Sequence, residues 1–194
     1  TGGTTLAQVS SEMSYSAESR DVTVVPGRGG LGEDVEIQAN TIASKIAKKL
    51  GGHYHLLHIP DNMAEENIYH ISKEPTIRKT LEILKRANIL IHGVGTAEDM
   101  AGRRGMEEKE IRDLLNEGAV GEAFGFYFNS QGEIIYSTTS VGLNLDDLQS
   151  IKSPATAIRW PGFFIALRWL GIKPYFGYYL DADWSRCNCI RIKS

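Results

Sequence analysis

Two glycine-rich turns, each set to open a helix, constrain this chain more than any other feature. The first is Thr1-Gly2-Gly3-Thr4-Thr5. The second, Gly27-Arg28-Gly29-Gly30-Leu31-Gly32-Glu33, follows the strand-like run Asp21-Val22-Thr23-Val24-Val25-Pro26. Glycine lets backbone amides approach a ligand closely. The first turn of a helix leaves its N–H groups unpaired, and the dipole favours negative charge there. Hydroxyls in one turn and a guanidinium in the other therefore suggest an anion site, with phosphate the natural occupant. The plainer alternative is a pair of ordinary strand-to-helix turns.

The length of 194 residues suits one domain with its own core, and 42% hydrophobic with 23% charged residues is ordinary for a globular chain. A net charge of −3 argues against a nucleic-acid surface. The longest apolar run, Phe163-Phe164-Ile165-Ala166-Leu167, is broken by Arg168, far short of the roughly 20 residues a membrane span needs. Two cysteines, Cys187 and Cys189, make neither a zinc half-site nor a disulfide framework, so the expected compartment is the cytoplasm. The chain opens on Thr1, directly at a glycine turn that an open α/β sheet places after a strand, so the sequence is expected to be a piece of a longer protein.

Apolar spacing predicts helices over 4–13, Glu33–Leu50, 64–71, 76–86 and 107–117. The clearest is Glu33–Leu50, with Val35, Ala39, Ile42, Ala43, Ile46, Ala47 and Leu50 on one stripe and Gly51-Gly52 as its stop. Glu82 and Arg86 are expected to pair on the outer face of the helix after Pro75. Strands are expected at Asp21–Pro26, His53–Ile59 and Ala87–Gly93. A hairpin, Phe124–Phe128 with Glu133–Thr139, is expected across Asn129-Ser130-Gln131-Gly132. The alternation predicts an α/β fold with a mostly parallel, helix-covered sheet. Residues 1–151 hold 14 Lys+Arg and 22 Asp+Glu; residues 152–194 hold seven and two, with all three tryptophans and both cysteines. The tail from 152 is therefore expected to be atypical of the fold.

Three cationic or amide-rich points could meet over the carboxyl ends of such a sheet: Gly2-Gly3-Thr4-Thr5, Arg28 with Gly29 and Gly30, and Gly102-Arg103-Arg104-Gly105. Arginine suits phosphate because its planar fork bonds bidentately. Thr96–Gly105, rich in small residues, is expected to be a mobile loop. Gly27, Gly29 and Gly32 also satisfy a dinucleotide fingerprint, with Asp61 as the ribose-binding acid, although Pro26, Arg28 and the long spacing weaken that reading. His53, His55 and His58 alternate without an acid or cysteine to complete a metal set. His92, at a strand end, could meet a sugar hydroxyl or merely cap the strand; Glu122 is a candidate hydroxyl acceptor. Ser11 and Ser140 lack a nucleophile elbow, so no enzyme is expected.

Taken in order, six segments resemble the sugar-binding effector domain of SorC-type bacterial transcriptional regulators. They are Thr1–Thr5, Val25–Glu33, Gln38-Ala39-Asn40-Thr41, His92-Gly93-Val94-Gly95, Glu122–Phe128 and Ser140-Val141-Gly142-Leu143, and the likeness covers about residues 1–150. The resemblance implies a fold related to sugar-phosphate isomerases and deaminases, used for sensing. It implies a phosphorylated sugar as effector, fructose 1,6-bisphosphate foremost, with no other cofactor and no metal. The implied ligand-binding residues are Gly2, Gly3, Thr4, Thr5, Arg28, Gly29, Gly30, Leu31, Gln38, Arg103, Arg104 and Glu122. It also implies a dimer or tetramer that meets DNA through a helix-turn-helix domain this sequence does not contain. The family continues after Leu145-Asp146-Asp147-Leu148 into a strand, a glycine pair and a lysine-bearing helix. Lys152–Trp160 shows nothing similar, which suggests that 152–194 is a shifted-frame translation and that the sheet is truncated at both ends. The competing readings are a sugar-phosphate isomerase or deaminase and a dinucleotide-binding domain.

Overall fold

The computed structural model describes residues 1–16, 20–31, 34–61, 63–151 and, as backbone, 155–160 and 163–168. They form two compact units. The first comprises residues 1–88 and 139–151, and the second residues 89–138 with the described segments 155–160 and 163–168.

The first unit begins with α1 (Thr4–Glu12), β1 (Thr23–Val24), α2 (Ala39–Leu50) and β2 (His53–Tyr54). Since α2 carries the chain back along the sheet, β1 and β2 pair parallel, Thr23 opposite His53 and Val24 opposite Tyr54. The stripe of α2 is buried at Ala39, Ile42, Ala43, Ile46 and Ala47, and Gly51 ends the helix in the left-handed conformation, φ 68°. The helix starts six residues later than its periodicity suggests. Val35–Ile37 makes a single 3₁₀ turn and Val35 is exposed. The reason is local: the Ile37 carbonyl accepts from Gly3 N–H at 2.8 Å instead of continuing a helical ladder.

The strand expected over His53–Ile59 pairs only at its start. Beyond it, Asn40 substitutes for a neighbouring strand, accepting from Leu57 N–H at 2.9 Å and donating to the Leu57 carbonyl at 3.1 Å. Helices α3 (Glu65–Ile71) and α4 (Pro75–Leu84) cover Leu57, Ile59 and Val141 with Ile68, Ile71, Ile77 and Leu81. On α4, Glu82 pairs at 3.0 Å with Arg78, one turn before it, rather than with the Arg86 expected one turn after it. After the second unit the chain returns as residues 139–143 and α7 (Leu145–Ser150), which Asn144 and Asp147 cap reciprocally.

The second unit is built on β3 (Ile91–Thr96), α5 (Ala97–Arg103), α6 (Glu108–Asn116), β4 (Gly121–Ala123), β5 (Phe126–Phe128), β6 (Ile134–Ser137), β7 (Ala155–Trp160) and β8 (Phe163–Arg168). Its sheet runs β6-β5-β4-β3-β8-β7, and every pairing is antiparallel. The mostly parallel sheet read from the alternation is thus limited, among the described residues, to the β1–β2 pair. Two helices between β3 and β4 return the chain to the end it left, and short turns join β4, β5 and β6, so antiparallel pairing follows. The hairpin across Asn129–Gly132 forms as the turn residues suggest, with Asn129 Oδ1 accepting from Gln131 and Glu133 N–H. Ala97, Ala101, Leu114, Ala119 and Tyr127 make the core of this unit.

Thr96–Gly105, expected as a mobile loop, is largely helix α5. Thr96 caps it by accepting from Asp99 N–H at 3.2 Å, and the small residues Ala97 and Ala101 are its buried face rather than hinges. Residues 152–154, 161–162 and 169–194 of the atypical tail lie outside the described residues, as do Gly32 and Glu33 of the second glycine turn.

Candidate functional site

In the first unit the two glycine turns play different parts. At the first, Gly3 is the N-cap of α1 with φ 117°, a conformation only glycine adopts freely, and no side chain caps the helix. A Cβ on Gly2 would lie 2.9 Å from the Ile37 carbonyl and 3.2 Å from Ala39 N, so Gly2 rests against the backbone that opens α2. The amino ends of α1 and α2 are therefore side by side, and α2 likewise has no side-chain cap: Gln38, half-buried, occupies the N-cap in an extended conformation. First-turn N–H groups of both helices lack intrahelical acceptors, and two dipoles add at one place. Thr4 is exposed at this point. Thr5 is 9% exposed, and its Oγ1 is buried with no hydrogen-bond partner among the described residues. A buried hydroxyl without a partner costs about 1–3 kcal/mol, which a ligand oxygen would recover.

The second turn does not form the expected cradle of amides. Gly29 N–H donates to the Val141 carbonyl at 3.2 Å and Gly30 N–H to the Ile59 carbonyl at 2.9 Å. A Cβ on Gly29 would sit 2.7 Å from the carbonyl oxygens of both Ile59 and Pro60, so this glycine serves close chain packing. Arg28 and Gly142 face each other in an antiparallel bridge, and Gly30 and Pro60 in a parallel one. Leu31, half-buried, ends the described stretch.

Within this weave the Arg28 guanidinium donates from Nε to Asp61 Oδ1 at 2.5 Å, with the two side chains 7% and 2% exposed. Ser140 Oγ donates to the same oxygen at 2.6 Å. Asp61 is thus engaged by an arginine and a serine, which is not the position of a ribose-binding acid, and no described helix starts at the glycines of the fingerprint. Sequence reasoning weighed Asp61 and Ser140 separately. Their pairing joins positions 79 residues apart, a relation without a periodic signal.

Arg103, Arg104 and Glu122 belong to the second unit. Arg103, half-buried, has Nη1 3.9 Å from Met100 Sδ. Arg104 donates from Nη2 to Glu122 Oε1 at 2.9 Å and from Nη1 to Tyr127 Oη at 3.3 Å, and the ion-paired side chains are 5% and 4% exposed. Burial raises the Tyr127 phenol above its ordinary pKa, opposed by the neighbouring Arg104. Glu122 Oε1 also accepts the N–H of Gly125. That bond spans the turn between β4 and β5, where Phe124 (φ 59°) and Gly125 (φ 85°) are both left-handed, as a two-residue hairpin turn of the mirrored kind requires. Left-handed backbone is costly for a bulky residue, and Phe124 is held there by its burial and by an edge-to-face contact with His92, centroids 5.7 Å apart. His92 donates from Nδ1 to the Gly93 carbonyl at 3.1 Å. Burial pushes its pKa down to about 4, partly opposed by that bond.

Among the described residues no three His, Cys, Asp or Glu side chains converge as a metal would need, and His53 and His58 are exposed. Among the same residues no helix is long and apolar enough to cross a membrane.

A family model described as "Putative sugar-binding domain" matches residues 1–156. The central glycolytic genes regulator of Priestia megaterium (strain DSM 319 / IMG 1521) is 47% identical over 152 residues, 78% of this chain and 44% of that protein. Its namesake in Bacillus subtilis (strain 168) is 42% identical over 151 residues, with the same shares. The chain thus spans less than half the length of these relatives, which are regulators rather than enzymes. Among solved structures, one described as a "putative SorC family transcriptional regulator" from Enterococcus faecalis is 39% identical, with a TM-score of 0.70 over 78% of this chain and 62% of that one. The full-length sorbitol operon regulator SorC from Klebsiella pneumoniae, at 16% identity and a TM-score of 0.65 over 76% of this chain and 50% of that one, shares the fold.

Proposed function

The chain belongs to the sugar-binding domain family found in SorC-type transcriptional regulators, and from that premise we propose that it senses a phosphorylated sugar, fructose 1,6-bisphosphate before others, for a regulator of glycolytic genes. The observation that carries the reading is the meeting of the α1 and α2 amino ends around the unpartnered Thr5 Oγ1. Thr4 and Thr5 hydroxyls and first-turn N–H groups hold one phosphate there, with Gly2 and Gly3 giving room and Gln38 at the second helix start. Arg28 supplies the guanidinium of this unit. In the second unit the resemblance also assigns ligand contact to Glu122 and to Arg103 or Arg104.

In the intact regulator the sugar phosphate favours one arrangement of a dimer or tetramer and so changes its affinity for DNA, a population shift rather than catalysis. The test is a thermal melt of the chain alone and with millimolar fructose 1,6-bisphosphate, glucose 6-phosphate, fructose 6-phosphate, dihydroxyacetone phosphate or NAD. A ligand at 100 times its Kd stabilises by about 2.7 kcal/mol. Fructose 1,6-bisphosphate is expected to raise the midpoint most. A cooperative transition that no sugar phosphate moves would defeat the proposal, and a shift with NAD alone would restore the dinucleotide reading.

A further inference from the structure

We propose that Asn40 is a positioning residue for anion recognition: its side-chain amide ties the first turn of α2 to the backbone of Leu57 and so fixes where the N–H groups of that helix end point. The inference rests on the reading of the first unit as a sugar-phosphate site. Asparagine is among the residues that close a helix amino end when they stand at its N-cap. Here the N-cap is Gln38, no side chain caps the helix, and Asn40 stands two residues later, inside the first turn. Its amide turns to another segment. Oδ1 accepts from Leu57 N–H at 2.9 Å, and Nδ2 donates to the Leu57 carbonyl at 3.1 Å. The place of α2 is thus set by a side chain of its first turn, while the first-turn N–H groups stay uncapped.

The anchor is rigid: Leu57 is 1% exposed, in the core that α3 and α4 cover. On the other side the start of α2 meets α1, where Gly3 N–H donates to the Ile37 carbonyl at 2.8 Å. Gly3 grips the chain two residues before the helix, and Asn40 grips the helix itself. The buried Thr5 Oγ1 belongs to α1, so one anion meets it and α2 together only while the two helix ends keep their spacing. N–H bonds to oxygen hold only over about 2.7–3.2 Å, so a helix end displaced by about 1 Å loses them. The residue type matters as well. Leu57 needs an acceptor for its N–H and a donor for its carbonyl, and a side-chain amide supplies both, whereas a carboxylate supplies no donor.

Positioning and plain structural support differ in what they do to the folded population. If Asn40 only holds the fold together, its loss lowers the melting point and leaves the Kd of the folded chain unchanged. If it aims α2, the loss also weakens binding in chains that remain folded. The experiment is calorimetric titration of the full chain with inorganic phosphate and with fructose 1,6-bisphosphate, well below each melting point, for the wild type, N40A, N40S and L84A. Asn40→Ser leaves room for a water to meet Leu57 and is the milder change. Leu84→Ala, at a buried position of α4 with no part in the site, reproduces a loss of stability alone. N40A and N40S are expected to weaken both ligands at least about tenfold, the lower end of what removing an orienting partner costs at a metal site. L84A is expected to keep the wild-type Kd values. Unchanged binding in N40A or N40S, or an equal loss in L84A, overturns the proposal and leaves the sugar-phosphate reading intact. A wild type that binds neither ligand removes both. Should neither Asn40 variant melt cooperatively, an NMR titration of the wild type with phosphate decides. Shifts at the Asn40 and Thr41 backbone N–H signals, with the Asn40 side-chain amide slow to exchange throughout, support the role. Unmoved backbone signals, or a side-chain amide that exchanges freely, refute it.

Discussion

Removing the Glu122 carboxylate should strongly destabilise the second unit. Oε1 of Glu122 accepts from Arg104 Nη2 at 2.9 Å and from Gly125 N–H, and the paired side chains are 5% and 4% exposed. In Glu122→Ala the Arg104 guanidinium stays buried without its counter-charge, which costs about 3–5 kcal/mol. The Gly125 amide, at a left-handed turn whose carbonyl is already taken by Thr138, also loses its acceptor, a further ~1–3 kcal/mol where no water reaches it. The two penalties overlap, but even the smaller is a large part of the roughly 5–15 kcal/mol that holds a domain folded. Glu122→Gln keeps an oxygen for Gly125 and loses only the charge, so it should cost less. Adding Arg104→Met to Glu122→Gln removes the orphaned cation and should recover most of the loss, since buried pairs are often replaced by apolar groups at little cost. Urea unfolding followed by circular dichroism gives the ranking. The reasoning is refuted if Glu122→Ala lies within about 1 kcal/mol of the wild type, or if the double variant is no more stable than Glu122→Ala.

Three further outcomes are expected. Thr5→Val, which replaces an unpartnered buried hydroxyl by a methyl, should leave the unliganded chain as stable or up to about 1 kcal/mol more so, yet weaken phosphate binding tenfold or more, since a hydrogen bond to a charged group is worth about 1.5–3 kcal/mol; paired melts and titrations check both halves. Gly29→Ala should destabilise by about 1–3 kcal/mol because its Cβ meets two carbonyl oxygens at 2.7 Å, whereas Gly30→Ala, with nothing within 4 Å, should stay within about 0.5 kcal/mol; urea midpoints separate them. His92, whose pKa falls from 6.5 unfolded to about 4 folded, binds its proton more readily in the unfolded chain, so stability is fully present above pH 6.5 and is lost as pH falls toward 4. The loss is at most about 1.4 kcal/mol per pH unit and should be missing from His92→Gln, read from urea midpoints across that window.

What the sequence made legible was local. Ile42, Ala43, Ile46 and Ala47 recur at helical spacing and are buried on α2, and Asn129–Gly132 turns the β5–β6 hairpin as its residue types demand. The start of α2 was not legible, because it depends on the Ile37 carbonyl being claimed by Gly3, 34 positions earlier in the chain. Strand direction in the second unit was not legible for a related reason: alternation does not report that α5 and α6 form one connection, whereas the parallel pairing expected is found between β1 and β2. The site was legible in its components but not in their partners. Arg28 and Arg104 stood out as cations beside glycine, while their carboxylates, Asp61 and Glu122, lie 33 and 18 residues away with no spacing rule to announce them. The strand expected over Phe124–Phe128 starts only at Phe126, because nothing about Phe124 signals that it shares the left-handed conformation of Gly125, where burial holds it.

The divided first unit has a consequence for how the protein is made. Residues 139–151 belong with residues 1–88, and between them the ribosome must synthesise residues 89–138. Arg28 meets its bridge partner Gly142 more than a hundred residues later, and Asp61 waits for Ser140 through 79. The anchoring of Asp61 by Ser140 therefore waits until the whole intervening segment has been made. Closing so long a loop is slow compared with forming a helix or a hairpin. Until it closes, a nascent chain carries Arg28 and Asp61 but not the serine that donates to Asp61.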